Sequence, residues 1–81
     1  MTKIEYAKCE KAMDEAILNA QRATYDYVQS ERIRKEGGCE VTAECKLRCA
    51  DQHLGYAEGI TQVLDMIGFK HDKMNELREL I

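Results

Sequence analysis

The 81-residue sequence contains no proline, no tryptophan and a single phenylalanine. Proline breaks helix interiors and central strands, so its absence along the whole chain favours long, uninterrupted helices. Glycine is scarce as well, and its five positions all lie at or after residue 37. Nothing before that residue would therefore interrupt a helix.

A cluster of charge of one sign is also missing. The 12 basic and 15 acidic residues give a net charge of -3 and are interspersed along the chain. Binding to a nucleic-acid backbone requires a basic stripe, and a nucleic-acid mimic requires a dense acidic surface. We therefore expect no direct binding to nucleic acid.

Long hydrophobic runs are absent too. The opening residues, "MTKIEYAKCE", lack the apolar segment of a secretory signal, and no run approaches the roughly 20 apolar residues of a membrane-spanning helix. The sequence thus predicts a cytoplasmic protein with no membrane association, in a compartment where cysteine thiols stay reduced.

What the sequence does contain is helical periodicity. Between residues 3 and 35, apolar side chains recur at spacings of three and four, which predicts an amphipathic helix with Thr2 as its N-cap and a glycine-containing turn at 36–41. The main stripe consists of Tyr6, Cys9, Met13, Ala16, Ile17, Ala20, Ala23, Thr24, Tyr27 and Val28. A second patch on the opposite side comprises Ile4, Ala7, Leu18, Tyr25 and Ile33.

A second helix is predicted over residues 42–67, capped by Thr42 and ended by Gly68 with Phe69 beyond it. Its apolar residues form two adjacent stripes, which together are too broad for one neighbouring helix to bury. One stripe is Cys45, Cys49, Tyr56, Ile60, Val63 and Ile67, and the other is Leu47, Ala50, Leu54, Ala57, Thr61 and Leu64. A short third helix over 72–80, with Asp72 as its cap, has one apolar face made of Met74, Leu77 and Leu80.

These elements predict an all-α fold in one domain, residues 1–81: an antiparallel helical hairpin of two long helices plus a short C-terminal helix. Gly55 and Gly59 are expected to face the alanines of the first helix and to let the two helices approach closely. Because a hairpin has little interior and both helices have surplus apolar surface, the hairpins are expected to assemble into a multi-chain helix bundle.

Three of the four cysteines lie in the segment "GGCEVTAECKLRCADQH", residues 37–53. We interpret Cys45 and Cys49 as small apolar core residues of the second helix. The alternative is a zinc site in which Cys39, Cys45 and Cys49 are ligands and another chain supplies the fourth, although their spacing differs from that of common zinc modules. A third interpretation is a reactive thiol at Cys45, near the amide donors of the helix N-terminus.

No phosphate-binding loop, nucleophile with a base, or carboxylate pair is evident, so the sequence predicts no enzyme and calls for no cofactor. The preferred hypothesis is a small oligomeric binding protein, an adaptor or inhibitor that docks on another protein. Proteins of this size and shape are common among accessory factors of phages and mobile elements. The residues expected to contact the partner are Leu18, Tyr25 and Ile33, on the outer side of the first helix.

Two alternatives come from other functional classes. In the first, an oligomer holds a small anionic ligand such as a nucleotide between its subunits, through cationic side chains near the turn: Arg32, Arg34, Lys35, Lys46 and Arg48. In the second, the set Cys39, Cys45 and Cys49 makes the protein a zinc- or thiol-dependent sensor.

Overall fold

The computed structural model describes all 81 residues and contains three helices and no strand: α1 (Lys3–Lys35), α2 (Glu40–Met66) and α3 (Lys73–Leu80). Helices α1 and α2 pack along each other as an antiparallel hairpin, and α3 folds back onto α1. The result is a rod 52 Å long and 18 by 17 Å across. The predicted all-α hairpin with a short third helix is confirmed.

The first helix begins and ends as its sequence predicts. The Thr2 hydroxyl accepts a hydrogen bond from the Glu5 amide at 3.1 Å and caps the N-terminus. At the other end Gly37 adopts a positive φ of 72°, and the Gly38 amide donates to the Ile33 carbonyl at 2.8 Å. This is the glycine-dependent helix stop known as the Schellman motif. A Cβ on Gly38 would lie 2.9 Å from the Ile33 carbonyl oxygen, so this second glycine is required by close contact.

The second helix begins two residues earlier than predicted, because this compact stop leaves only residues 36–39 between the helices. Cys39 rather than Thr42 occupies the N-cap position, and its carbonyl accepts the first helical hydrogen bond from Ala43 at 3.1 Å. The helix ends at Met66, one residue before the predicted end. Beyond it Gly68 has a φ of 74°, and the Phe69 amide donates to the Leu64 carbonyl at 2.9 Å, which confirms the predicted glycine stop.

The third helix starts at Lys73, one residue after the predicted start, and the predicted Asp72 cap is wrong in its chemistry. Asp72 occupies the N-cap position but makes no side-chain cap bond, because its backbone is already helical. The His71 ring takes over the role: its Nδ1 accepts from the Lys73 amide at 3.1 Å. Nε2 therefore bears the proton and donates to Glu10 at 3.0 Å.

Small side chains line most of the interface between α1 and α2, and they let the two backbones approach closely. The buried alanines are Ala16, Ala20 and Ala23 on α1 and Ala43, Ala50 and Ala57 on α2. Polar contacts fix the register of the helices. The buried Ser30 hydroxyl donates to the Ala43 carbonyl at 2.9 Å, and His53 Nδ1 lies 2.8 Å from Asn19 Oδ1.

The expectation that Gly55 and Gly59 face these alanines is wrong. Both glycines are exposed, and a Cβ built on either one would meet no atom within 4 Å. The early start of α2 shifts the register, so that Asn19 lies level with His53 and the alanines of α1 meet those of α2 instead. Packing within the chain therefore gives no reason for two glycines in the middle of α2.

The larger core side chains are gathered at the end of the hairpin where α3 packs. Together with three alanines they form one cluster: Met13, Ala16, Ile17, Ala20, Ala57, Leu64, Phe69, Met74 and Leu77. Ion pairs surround it, including Arg78 with Asp65 at 2.6 Å. Among the large side chains only Met13, Met74 and Leu77 are fully enclosed, so α3 supplies two of the three.

We predict that α3 is docked in the isolated protein and that Leu77→Ala lowers the free energy of unfolding by about 2–4 kcal/mol, as cavity formation does in other cores. Urea denaturation followed by circular dichroism measures the loss. The matched control is Ile81→Ala, since that neighbouring side chain is 40% exposed. Equal stability of the two variants would mean that α3 is not docked.

Candidate functional site

Two parallel rows of side chains run along α2, and both follow the alternating spacing of three and four that is typical of helix–helix contacts. The first row, which we term the inner seam, is Ala43, Leu47, Ala50, Leu54, Ala57, Thr61 and Leu64. Every member is buried or half-buried. The inner seam is the face that packs against α1.

The second row, the outer seam, is Thr42, Cys45, Cys49, Gln52, Tyr56, Gly59, Val63 and Met66. All eight residues are exposed, with Val63 at 55% and Met66 at 79%. None of the eight is charged, although the chain as a whole is 33% charged. An exposed, uncharged row along a whole helix is unusual for a solvated surface and is typical of an interaction surface.

The interpretation of Cys45 and Cys49 as core residues is wrong, since both are exposed. Tyr56, Val63 and Ile67 of the same predicted stripe are also at least 46% exposed. The inner seam occupies the core instead, because its alanines match the small residues of α1, whereas the Tyr56 ring would hold the helices apart.

A second exposed surface lies on the outer side of α1. Leu18 is 46% exposed and Tyr25 is 61% exposed, and they stand two helical turns apart on the same side. Arg22 lies between them, three residues before Tyr25 and four after Leu18, and it forms no ion pair. We term Leu18, Arg22 and Tyr25 the α1 patch. Ile33 does not share its exposure, because it is half-buried against Gly38 in the turn.

The five cationic side chains proposed for an anionic ligand do not form one site within the chain. Arg32 and Lys35 border a surface depression on α1 with Val28, Glu31 and Glu36. Arg34 is paired with Glu40 at 3.0 Å. Lys46 and Arg48 are two residues apart on α2, which places them on opposite sides of that helix.

The three cysteines near the turn do not form a metal site within one chain. No group of three histidine, cysteine or acidic side chains is placed to hold a metal ion. Cys39, Cys45 and Cys49 are exposed and free, and the helix carries them apart along its axis. A zinc site built from this set would need most of its ligands from another chain.

Cys39 differs from the other thiols in its electrostatics. No side-chain hydrogen bond with regular geometry caps α2. Even so, the backbone amide of Thr42, its hydroxyl and the Val41 amide together lower the pKa of the Cys39 thiol from its ordinary value. This environment arises because α2 begins at Glu40, two residues before the predicted start, which makes Cys39 its N-cap residue. The sequence placed the reactive thiol at Cys45 instead.

Polar contacts along the edges of the hairpin hold the hydroxyl groups of two tyrosines, Tyr27 and Tyr56. The Tyr27 hydroxyl donates to Asp51 at 2.5 Å, and this bond is the main cause of the raised pKa of Tyr27. The Tyr56 hydroxyl donates to Glu15 at 3.3 Å, so this side chain of the outer seam reaches from α2 to α1. Partial burial, followed by the bond to Glu15, raises the pKa of Tyr56.

No helix of the protein combines the length and the apolar character that a membrane crossing requires. When the chain was compared with known proteins, no family model, no curated protein and no solved structure matched it. Its function therefore has to be inferred from its own residues and their geometry.

We predict that Cys39 is alkylated several-fold faster than Cys45 or Cys49 at neutral pH, because a lowered pKa leaves more of its thiol as the reactive thiolate. Peptide mass spectrometry after timed iodoacetamide treatment measures the three rates in one sample, at a protein concentration of about 0.1 µM, where self-association with a micromolar dissociation constant does not cover the thiols. Thr42→Val should slow Cys39 and leave Cys49 unchanged. Equal rates at the three exposed thiols would contradict the prediction.

Proposed function

We propose that this protein acts by binding rather than by catalysis: it is a small oligomeric helical adaptor or inhibitor that docks on another protein through the α1 patch. The observation that carries the proposal is the exposure of Tyr25, which is 61% accessible on the side of α1 away from the other helices. Its hydroxyl makes no hydrogen bond within the chain. Neither its ring nor its oxygen therefore has a role in the fold.

The composition of the α1 patch supports a protein partner. Tyrosine and arginine are the residue types most enriched among those that dominate binding energy at protein interfaces. Tyr25 and Arg22 are adjacent on the helix surface, and Leu18 extends the patch by one more turn. Because α1 is a continuous helix of 33 residues, the patch is presented on a rigid support and loses little entropy on binding.

Sequestration of an anionic ligand has weaker support. The cationic side chains are dispersed over two helices, and Arg34 is already neutralised by Glu40. Two acidic residues, Glu31 and Glu36, share the depression next to Arg32 and would repel an anion. A protein partner therefore fits the arrangement of charges better than a nucleotide does.

The proposal predicts that a photoactivatable phenylalanine analogue at Tyr25, expressed in the native cell, forms a discrete adduct with one other protein. Leu18→Glu should reduce the adduct strongly, because truncating or charging a central interface contact costs about 2 kcal/mol or roughly thirtyfold in affinity. Gel electrophoresis and mass spectrometry identify the adduct.

The matched control carries the same probe at Glu79, which is exposed and lies on a different helix, α3. An adduct that forms equally well from Glu79, or that is insensitive to Leu18→Glu, would refute the proposed docking site. An adduct made only of two copies of this 9.3 kDa chain would also refute it, by assigning the patch to self-association.

A further inference from the structure

We infer that the outer seam of α2 seats the outer seam of a second copy of this chain, with the two helices antiparallel and Thr42 of one level with Met66 of the other. This inference deepens the oligomeric part of the proposed function and assigns it to residues outside the α1 patch. It names one surface, one occupant and one register.

The spacing of the outer seam indicates what kind of surface can pack against it. Its residues repeat at three and four without interruption over 25 positions, which is about 36 Å of helix. The inner seam has the same spacing and is filled by α1. A surface with this repeat fits another helix that lies nearly parallel or antiparallel to it.

Side-chain size selects the antiparallel orientation. The large side chains Tyr56, Val63 and Met66 lie in the second half of the outer seam. The first half begins with two smaller ones, Thr42 and Cys45. Antiparallel pairing places Met66 against Thr42 and Val63 against Cys45, so each of these two outer layers combines a larger with a smaller side chain. Parallel pairing would stack large residues on large ones at one end and leave the other end loosely filled.

The two exposed glycines fall where this pairing brings the helices closest. With Thr42 level with Met66, the two-fold axis passes beside Gly55, and Gly59 lies opposite Cys49 of the second copy. Each glycine inside a helix costs about 1 kcal/mol relative to alanine, and nothing in the chain itself contacts either position. Close approach of the second copy's backbone would explain why glycine occupies both positions.

Charge also favours the second copy in this orientation. The residues that border the outer seam on either side include Lys46 and Arg48 and no acidic side chain. A row of acids, Glu44, Asp51, Glu58 and Asp65, follows just beyond the border that contains Arg48. Antiparallel pairing places Arg48 and Glu58 of the second copy at nearly the same height, with an offset of about 3 Å measured along the helix axis. Neither residue belongs to an ion pair within the chain.

The first test is the mass in solution, measured by sedimentation equilibrium with the wild-type chain at about 50 µM, well above a micromolar dissociation constant. We expect twice the 9.3 kDa chain mass. Val63→Glu places two carboxylates in the paired seams and should weaken association at least about a hundredfold. Leu18→Glu charges an equally exposed apolar residue outside the seam and should leave the dimer intact.

The second test fixes orientation and uses Val63→Cys with a short bifunctional thiol reagent. In the antiparallel pair the introduced thiol lies opposite native Cys45 of the second copy, so peptide mapping should find that crosslink. The wild-type chain should give none between Cys45 residues, which would stand about 27 Å apart along the axis. A Cys45–Cys45 crosslink in the wild type would show parallel pairing and overturn the register.

A monomeric wild-type chain at this concentration, or equal dissociation by Val63→Glu and Leu18→Glu, would overturn the inference. These outcomes are separable from failure of the proposed docking function. If the protein is monomeric but Tyr25 adducts still form, the docking function of the α1 patch is supported and the dimer is contradicted. A dimer that survives while no Tyr25 adduct forms would leave the dimer without the docking function.

Discussion

The contact between the alanines of α1 and those of α2 is the constraint on which the rest of the molecule depends. Burial of one methyl group contributes only about 0.8 kcal/mol, against about 1.5–3 kcal/mol for a leucine or phenylalanine side chain. An interface built from Ala20, Ala23, Ala43 and Ala50 brings two helices close but buries little apolar area. The hairpin therefore needs apolar burial from another source, and α3 supplies the first part of it at one end.

The turn half of the hairpin has no such cover. Met74 and Leu77 of α3 enclose the end near Met13, while the half near the turn contains only small buried residues and the Ser30–Ala43 hydrogen bond. A chain of 81 residues lies near the lower size at which one core suffices, and this core is thin even for that size. Pairing of the outer seams would add burial along the whole length of α2, including the half that α3 does not reach.

The sequence was sufficient to predict the three helices, their order and the hairpin, because these follow from periodicity, from Thr2 and from the glycines at 37 and 68. It was not sufficient to orient α2. Its apolar residues form two adjacent rows with helical spacing, and neither their spacing nor their hydrophobicity identifies the row that packs against α1. The small residues on α1 determine which face of α2 packs against it. Their effect becomes clear only once the register of α1 against α2 is known.

The candidate site was predictable in part for the same reason. Leu18 and Tyr25 lie opposite the alanine face of α1, and that face was unambiguous, so their exposure followed directly. Ile33 was predicted as part of the same patch, but it lies next to the turn and is half-buried against Gly38. The outer seam could be distinguished from the core only once the structure showed that the inner seam packs against α1. The environment of Cys39 could not be predicted either, because it depends on a helix start two residues before the predicted one.

The two proposed interaction surfaces lie on different helices, and this separation would have a consequence for binding. In the proposed dimer Tyr25 lies level with Leu47 of its own hairpin, about 10 Å along the axis from the two-fold, so the two copies of Tyr25 are about 20 Å apart along the axis. Both point away from α2 and hence away from the second copy. A partner that is itself two-fold or repetitive would engage both patches of the proposed dimer at once, and the second contact would then form at a millimolar effective concentration rather than at the free concentration of the protein. In the proposed dimer, self-pairing through α2 would thus convert the α1 patch of three residues, too small for tight binding alone, into a bivalent surface.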